Sequence, residues 1–250
     1  MLQTMIKAIF LDFYNTLVRF WPPLDQIQQA SCREIGLNVT EEGINQGYAI
    51  ADVFFNSENE KRSLADRSDA ERLDFFAHYE QMILDGAGLS VSLDLASQIW
   101  QLAISVPKDF IPYDDVIPVI SDLHERGYKI GVLSNLRRNM PELCDNLGLS
   151  QFLDFYVSSV DVGAEKPDPA VFIAALEKAN VEASEAVHVG DQRRSDVVGA
   201  QRVGIHPILL DRGGWHTDMT ECVRINNLNE LQPLLMGAPN SLIINGTSIG

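Results

Sequence analysis

Two hydrophobic rhythms divide this chain. Near its start the apolar run Ala8 to Leu11, far too short to cross a membrane, delivers Asp12 and is followed at once by the polar turn pair Asn15 and Thr16. That pattern predicts a buried strand with a carboxylate at its C-terminal end. From Trp21-Pro22-Pro23-Leu24 to about Val106 the apolar positions instead recur at helical spacing, with no convincing strand. Helices are expected from Leu24 to about Ile35, stopped by Gly36, and from Thr40, with Ile44, Tyr48, Ala51 and Phe55 on one face. A third follows Ser68 and aligns Leu73, Phe76, Tyr79 or Glu80, and Ile83 before Gly86, and a fourth from about Ser92 carries Leu95, Ile99 and Leu102. Four such helices make a small bundle, whose aromatic residues Tyr48, Phe54, Phe55, Phe75 and Phe76 read as core. The charged stretch from Asn56 to Asp69 reads as its exposed loop.

From Pro107 helix and strand alternate. A helix after Asp114 and Asp115 carries Ile117, Ile120 and Leu123 and stops at Gly127; strand Tyr128 to Leu133 then leads to Ser134 and Asn135. Asn139 to Leu147 repeats the helical pattern, and Phe155 to Val157 is a weaker strand. Asp168 caps a helix that opens on Pro169 and buries Val171, Phe172, Ala175, Leu176 and Ala179. Strand Ala186 to Val189 ends at Gly190-Asp191, followed by a helix from Ser195 to Val203, a strand from Pro207 to Leu210 and an edge strand from Cys222 to Ile225. Strands alternating with helices imply an α/β fold, a doubly wound parallel sheet split by an inserted all-helical body. The expected boundaries are residues 1–20 and 107–236 for the α/β core, 21–106 for the helical insert and 237–250 for a loosely held tail.

Composition narrows the partners. With 250 residues, 46% hydrophobic and 22% charged, the chain can bury a substantial core. Its net charge of −16 argues against binding nucleic acid or anionic membranes. Cys32, Cys144 and Cys222 lack the spacing of a zinc site or a disulfide framework, which fits a reducing, cytoplasmic setting, and neither an export signal nor a membrane-length apolar stretch is visible. The expected partner is a small molecule.

In a doubly wound sheet the C-terminal strand ends converge on one crevice, and four of them here carry Asp12, Ser134, Lys166, and Asp191 with Asp196. In Leu11-Asp12-Phe13-Tyr14-Asn15-Thr16, Val132-Leu133-Ser134-Asn135, Glu165-Lys166-Pro167-Asp168 and Val189-Gly190-Asp191 through Asp196, the chain resembles the haloacid dehalogenase superfamily, motif by motif and in order. The resemblance implies that the insert is the cap that one subgroup places after the first strand. It also implies that Asp12 is a nucleophile forming an aspartyl phosphate and that Lys166 offsets charge on Asp12 and the transferring group. By the same resemblance Mg2+ is held by Asp12, the Tyr14 carbonyl and Asp191, with Asp196 binding the ion or its waters, while Ser134 and the Asn135 amide, with Tyr14 and Thr16 nearby, hold the substrate.

One position departs from that pattern. Family phosphatases carry a second Asp two residues after the nucleophile, where this chain has Tyr14. Asp-x-Tyr resembles the 2-haloacid dehalogenases, which displace halide without a metal. Those enzymes usually lack the Gly190-Asp191 pair, carry a Tyr where Phe172 stands, and place a cap arginine in a context that Arg33 does not reproduce. A phosphonatase would need a Schiff-base lysine, and Lys61 and Lys108 lack the apolar setting for one. The acidic pair favours a Mg2+-dependent phosphatase acting on a small, anionic phosphorylated metabolite. A 2-haloacid dehalogenase and a non-catalytic binding or regulatory module are the alternatives. Arg137-Arg138 and Arg193-Arg194, just after crevice residues, read mainly as surface.

Overall fold

The structure, a computed structural model, describes residues 5–62 and 64–236, so the tail expected at 237–250 lies outside it. The chain divides into two compact units, one made of Met1–Arg19 with Phe110–Gly250 and the other of Phe20–Asp109. Strands β1 (Ala8–Leu11), β2 (Val18–Trp21), β3 (Asp109–Pro112), β4 (Lys129–Ser134), β5 (Phe155–Ser158), β6 (Ala186–Gly190), β7 (His206–Leu210) and β8 (Val223–Ile225) form two sheets. β2 and β3, on which the chain leaves and re-enters the first unit, pair with each other; the sequence pattern gave no sign of β2 because Val18–Trp21 buries only Val18.

The main sheet runs β5-β4-β1-β6-β7-β8, with each of its pairings parallel. Alternation along the strands separates its two faces. Ile9, Leu11, Ile130, Val132, Val187 and Val189 pack against Val116, Val119, Ile120 and Leu123 of the helix Val116–Glu125. Ala8, Phe10, Leu133 and Val157 pack on the other side against Val171, Phe172, Ala175 and Ala179 of the helix Pro169–Ala179, which Asp168 caps. Strand order reverses beside β1, between β4 on one side and β6 on the other, and a parallel α/β sheet binds its ligands at such a point. Asp12 and Asp191 follow the two strands that meet there.

Two expectations about this unit change. Ile117 is exposed, and Val116 and Val119 take the inward positions on its helix. The single helix expected over Ser195 to Val203 is a π-helical turn, Arg193–Val198, followed by a short α-helix, Gly199–Arg202. The widening has a local cause: the Gln192 carbonyl accepts from both the Asp196 and Val197 amides, at 2.9 and 3.3 Å, while Asp196 folds its carboxylate back onto the Gln192 amide.

The second unit consists of α1 (Leu24–Glu34), α2 (Glu41–Lys61), α3 (Asp69–Gly86) and α4 (Leu93–Ser105). Thr40, Ser68 and Ser92 cap the last three through side-chain oxygens, Ser68 in a reciprocal capping box with Glu71. The stretch from Asn56 is not all loop: α2 runs on to Lys61, its last turn supported by the Glu58–Lys61 ion pair at 2.6 Å. Leu73 lies exposed, since α3 turns Phe75 and Tyr79 inward. Around them an aromatic core forms in which Phe54 stacks on Phe75 and Phe76 on Trp100, at centroid separations of 5.3 and 4.5 Å. α2 and α3 approach so closely at Gly47 that a Cβ there would stand 2.0 Å from the Ile83 carbonyl oxygen.

Glu80 of α3 is fully buried in this unit. One carboxyl oxygen accepts from the Gln28 side chain of α1, and Oε2 has no partner. Burial pushes its pKa up from 4.5 to about 8, so Glu80 is protonated at neutral pH. A folded-state value above the unfolded one gives stability that is fully present below about pH 4.5 and lost as the pH rises through about 8. Glu80→Gln should match the wild type near pH 5 and exceed it by on the order of 4 kcal/mol near pH 9, in urea unfolding followed by circular dichroism. Parallel pH profiles for the two proteins would mean that Glu80 is charged in the fold.

Candidate active site

At the reversal point three carboxylates and one ammonium share a small volume. Asp12 follows β1, its amide held by the Val189 carbonyl at 2.9 Å, and Asp191 follows β6. Asp196 comes from the π-helical turn. One oxygen from each of the three carboxylates lies within 4.8 Å of the others. Lys166, just ahead of the helix Pro169–Ala179, donates to Asp12 Oδ1 at 2.6 Å and to Asp196 Oδ1 at 2.7 Å, and is itself only 4% exposed.

Neighbours fix each of these groups. The Asn135 side chain clamps the Lys166 backbone from both sides: its Oδ1 accepts from the Lys166 amide at 2.7 Å and its Nδ2 donates to the Lys166 carbonyl at 3.0 Å. The sequence suggested only a backbone role for Asn135. Ser134, at the end of β4, is buried and its Oγ accepts from the Leu136 amide at 3.1 Å, which leaves the hydroxyl hydrogen available as a donor. Thr16 is wholly buried with its Oγ1 unpartnered, and its carbonyl accepts from Arg212 at 2.9 Å. Tyr14 is half-buried, its ring 6.0 Å from that of Phe110.

The contacts of three further residues escaped the sequence reading. His188, fully buried in β6, places Nε2 2.9 Å from Asp196 Oδ1. A polar residue inside an apolar strand was the signal, because a buried polar group needs a partner. Asn15 holds a left-handed backbone conformation, φ 61°, that asparagine tolerates better than most residues, and its side chain stands near enough to Asp191 to oppose the rise in that carboxyl's pKa. Gly190 leaves room for Asp196, since a Cβ there would lie 2.2 Å from the Asp196 Cγ. Nothing in the sequence announces that contact.

The electrostatics are uneven. Burial works against the Lys166 ammonium, but Asp12 and Asp196 outweigh it and hold its proton more firmly than water would. Burial likewise opposes ionisation of Asp196, yet Lys166 and His188 carry it well below the carboxylate range. For Asp12 burial dominates the opposing pull of Lys166, and its pKa rises. Asp191 is raised further, first by burial and then by the charges of Asp12 and Asp196. One ammonium does not balance three carboxylates, and the excess negative charge falls on Asp191 and Asp12. Their hard oxygen donors suit a divalent cation such as Mg2+, whereas Asp196 already engages Lys166, His188 and the Gln192 amide.

The chain belongs to the haloacid dehalogenase-like hydrolases: the family's model, "haloacid dehalogenase-like hydrolase", matches residues 6–204. Over 212 residues it is 28% identical to the mouse (Mus musculus) haloacid dehalogenase-like hydrolase domain-containing protein 3, covering 83% of each chain. It is 41% identical over 103 residues to a glyceraldehyde 3-phosphate phosphatase of Methanopyrus kandleri, a match covering 41% of this chain and 44% of that enzyme. A solved 2-haloacid dehalogenase from Pseudomonas syringae superposes with a TM-score of 0.52 at 26% identity, over 93% of this chain and 98% of the other. Among the described residues no helix is long and apolar enough to cross a membrane.

Removing Lys166 should leave two buried carboxylates facing each other. Lys166→Met is expected to cost about 3–5 kcal/mol of stability in chelator-treated protein, read from chemical unfolding. A loss under about 1 kcal/mol would mean that water reaches this cluster freely enough to replace the ammonium.

Proposed function

We propose that this hydrolase is a Mg2+-dependent phosphatase that acts on a small phosphorylated metabolite, with Asp12 as its nucleophile. The observation that carries the reading is Asp191. It is a third carboxylate, clustered with Asp12 and Asp196 and destabilised as an anion by its surroundings, and only a site that takes a cation gains from it. The phosphatase name of the Methanopyrus relative supports the same reading.

In this reading Asp12, the Tyr14 carbonyl and Asp191 would hold Mg2+, which would supply screening of the repulsion between the Asp12 carboxylate and an anionic phosphoryl group. Lys166 engages Asp12 Oδ1, which leaves Oδ2 to attack phosphorus. The new bond joins Asp12 Oδ2 to phosphorus, the bond from phosphorus to the substrate's ester oxygen breaks with its electron pair on that oxygen, and the departing oxygen takes a proton from solvent water. Water then attacks the aspartyl phosphate and releases inorganic phosphate and free Asp12. Lys166 and the Ser134 hydroxyl offset charge on the phosphoryl oxygens.

Tyr14 favours a second reading, the metal-free dehalogenase, in which Asp12 displaces halide from carbon. A panel of phosphate esters and 2-haloacids, each with and without magnesium, separates the two. The phosphatase reading expects phosphate release that needs magnesium and vanishes in Asp12→Asn. Chloride release from 2-chloropropionate in the presence of chelator would overturn it, and no turnover at all would favour a binding or regulatory module.

The same residue sets a preference among esters. A phenol with a pKa near ~10 surrenders a proton poorly at neutral pH, and general acid catalysis is typically worth on the order of 10² to 10⁴ in rate. Aryl and acyl phosphates, whose leaving groups need little protonation, should outrun alkyl phosphates. Tyr14→Asp should raise kcat on alkyl esters about 10-fold or more while changing aryl esters little. An equal change on both classes would show that Tyr14 stands away from the leaving oxygen.

A further inference from the structure

Beside the acidic crevice stands an arginine without an anion. Arg19 lies on β2, with its guanidinium carbon 5.2 Å from the centre of the Tyr113 ring. Arg212 lies over the same ring at 3.9 Å, but its charge is spoken for: both terminal nitrogens reach Asp115 at 2.9 Å, and one also reaches the Thr16 carbonyl. Arg19 has no such bond. The ion pairs among the described residues do not include it, and its Nε is sealed from solvent with no acceptor. In a chain of net charge −16, a half-buried arginine held only by an aromatic face is anomalous, because a desolvated cation ordinarily gains a carboxylate.

Its place in the fold gives the anomaly a use. The Tyr113 amide donates to the Leu17 carbonyl at 3.0 Å, and the Val18 amide to the Phe13 carbonyl at 3.0 Å, so Arg19 and its ring are fastened to the loop that follows Asp12. Tyr113 also lies near enough to Asp191 to feel its charge; its phenol is raised by burial first, with the two arginines opposing and Asp191 and Asp115 adding. We propose that Arg19 binds a second anionic group of the substrate, a carboxylate or second phosphate in addition to the phosphoryl group that Asp12 attacks. This rests on the phosphatase reading and gives it a substrate class. The planar guanidinium offers a fork of donors suited to either anion, and Tyr113 restrains it in advance of binding.

Matched pairs of esters test the assignment: 3-phosphoglycerate against glycerol 3-phosphate, which exchanges a carboxylate for a hydroxymethyl group, and fructose 1,6-bisphosphate against fructose 6-phosphate. Wild type should favour the more anionic member of at least one pair by about 10-fold in kcat/KM, and the pair that responds identifies the anion. Arg19→Gln should abolish that preference through KM, leave p-nitrophenyl phosphate within about threefold, and be partly rescued in Arg19→Lys. No preference in the wild type, or equal losses on both members of a pair in Arg19→Gln, would overturn the proposal while p-nitrophenyl phosphate turnover upholds the phosphatase reading. If no ester is hydrolysed, that reading fails, and calorimetric binding of 3-phosphoglycerate and glycerol 3-phosphate to wild type and Arg19→Gln still decides. Tighter binding of the carboxylate-bearing compound that is lost in the variant keeps the anion site, and indifference discards it.

Discussion

The ammonium of Lys166, shared between Asp12 and Asp196 in a nearly dry pocket, is the interaction on which the rest of this structure is arranged. Burying three charges is costly, and it is tolerable here because each is committed in advance. Asn135 fixes the Lys166 backbone, His188 and the Gln192 amide fix Asp196, and Gly190 withholds a Cβ that would collide with that carboxylate. The π-helical turn belongs to the same arrangement, since a regular helix from Ser195 would not leave both the Asp196 and Val197 amides on the Gln192 carbonyl.

Such a cluster divides its carboxylates by role. Asp196, with Lys166, His188 and the Gln192 amide as partners, is the settled anion of the three. Asp12 and Asp191 remain underneutralised, with both pKa values raised, and under the proposed function that imbalance is what a bound cation would relieve. The three carboxylates therefore differ, within a few ångströms, in how many of their lone pairs the protein fills itself.

Buried acids in the two units illustrate opposite solutions. Asp196 stays charged because a lysine and a histidine converge on it, whereas Glu80, with a single amide donor and an unpartnered oxygen, stays neutral. Burial penalises both alike, and the number of donors decides the protonation state. The same bookkeeping makes Arg19 conspicuous, because it is the converse case of a cation for which the fold provides a π face and no acceptor.

By itself the sequence determined most of the elements, β2, β3 and the π-helical turn excepted, and the order of the strand ends in the main sheet. Apolar runs such as Ala8 to Leu11 and Ala186 to Val189 are legible because a strand buried on both faces needs an unbroken hydrophobic stretch, and Thr40, Ser68, Ser92 and Asp168 mark helix starts because their side chains bond locally. Asp12, Ser134, Lys166 and Asp191 could be read as crevice residues because each closes or follows a segment whose direction was already known. The contacts of His188, the clamp of Asn135, the space at Gly190 and the isolation of Arg19 were not legible. Each depends on atoms brought together from segments that do not adjoin in the chain, or on a turn whose hydrogen bonds depart from the regular helix, and neither periodicity nor local propensity carries that information. Only the tertiary packing of β1, β4 and β6 at the reversal point decided which charges would meet and which would be left without a partner.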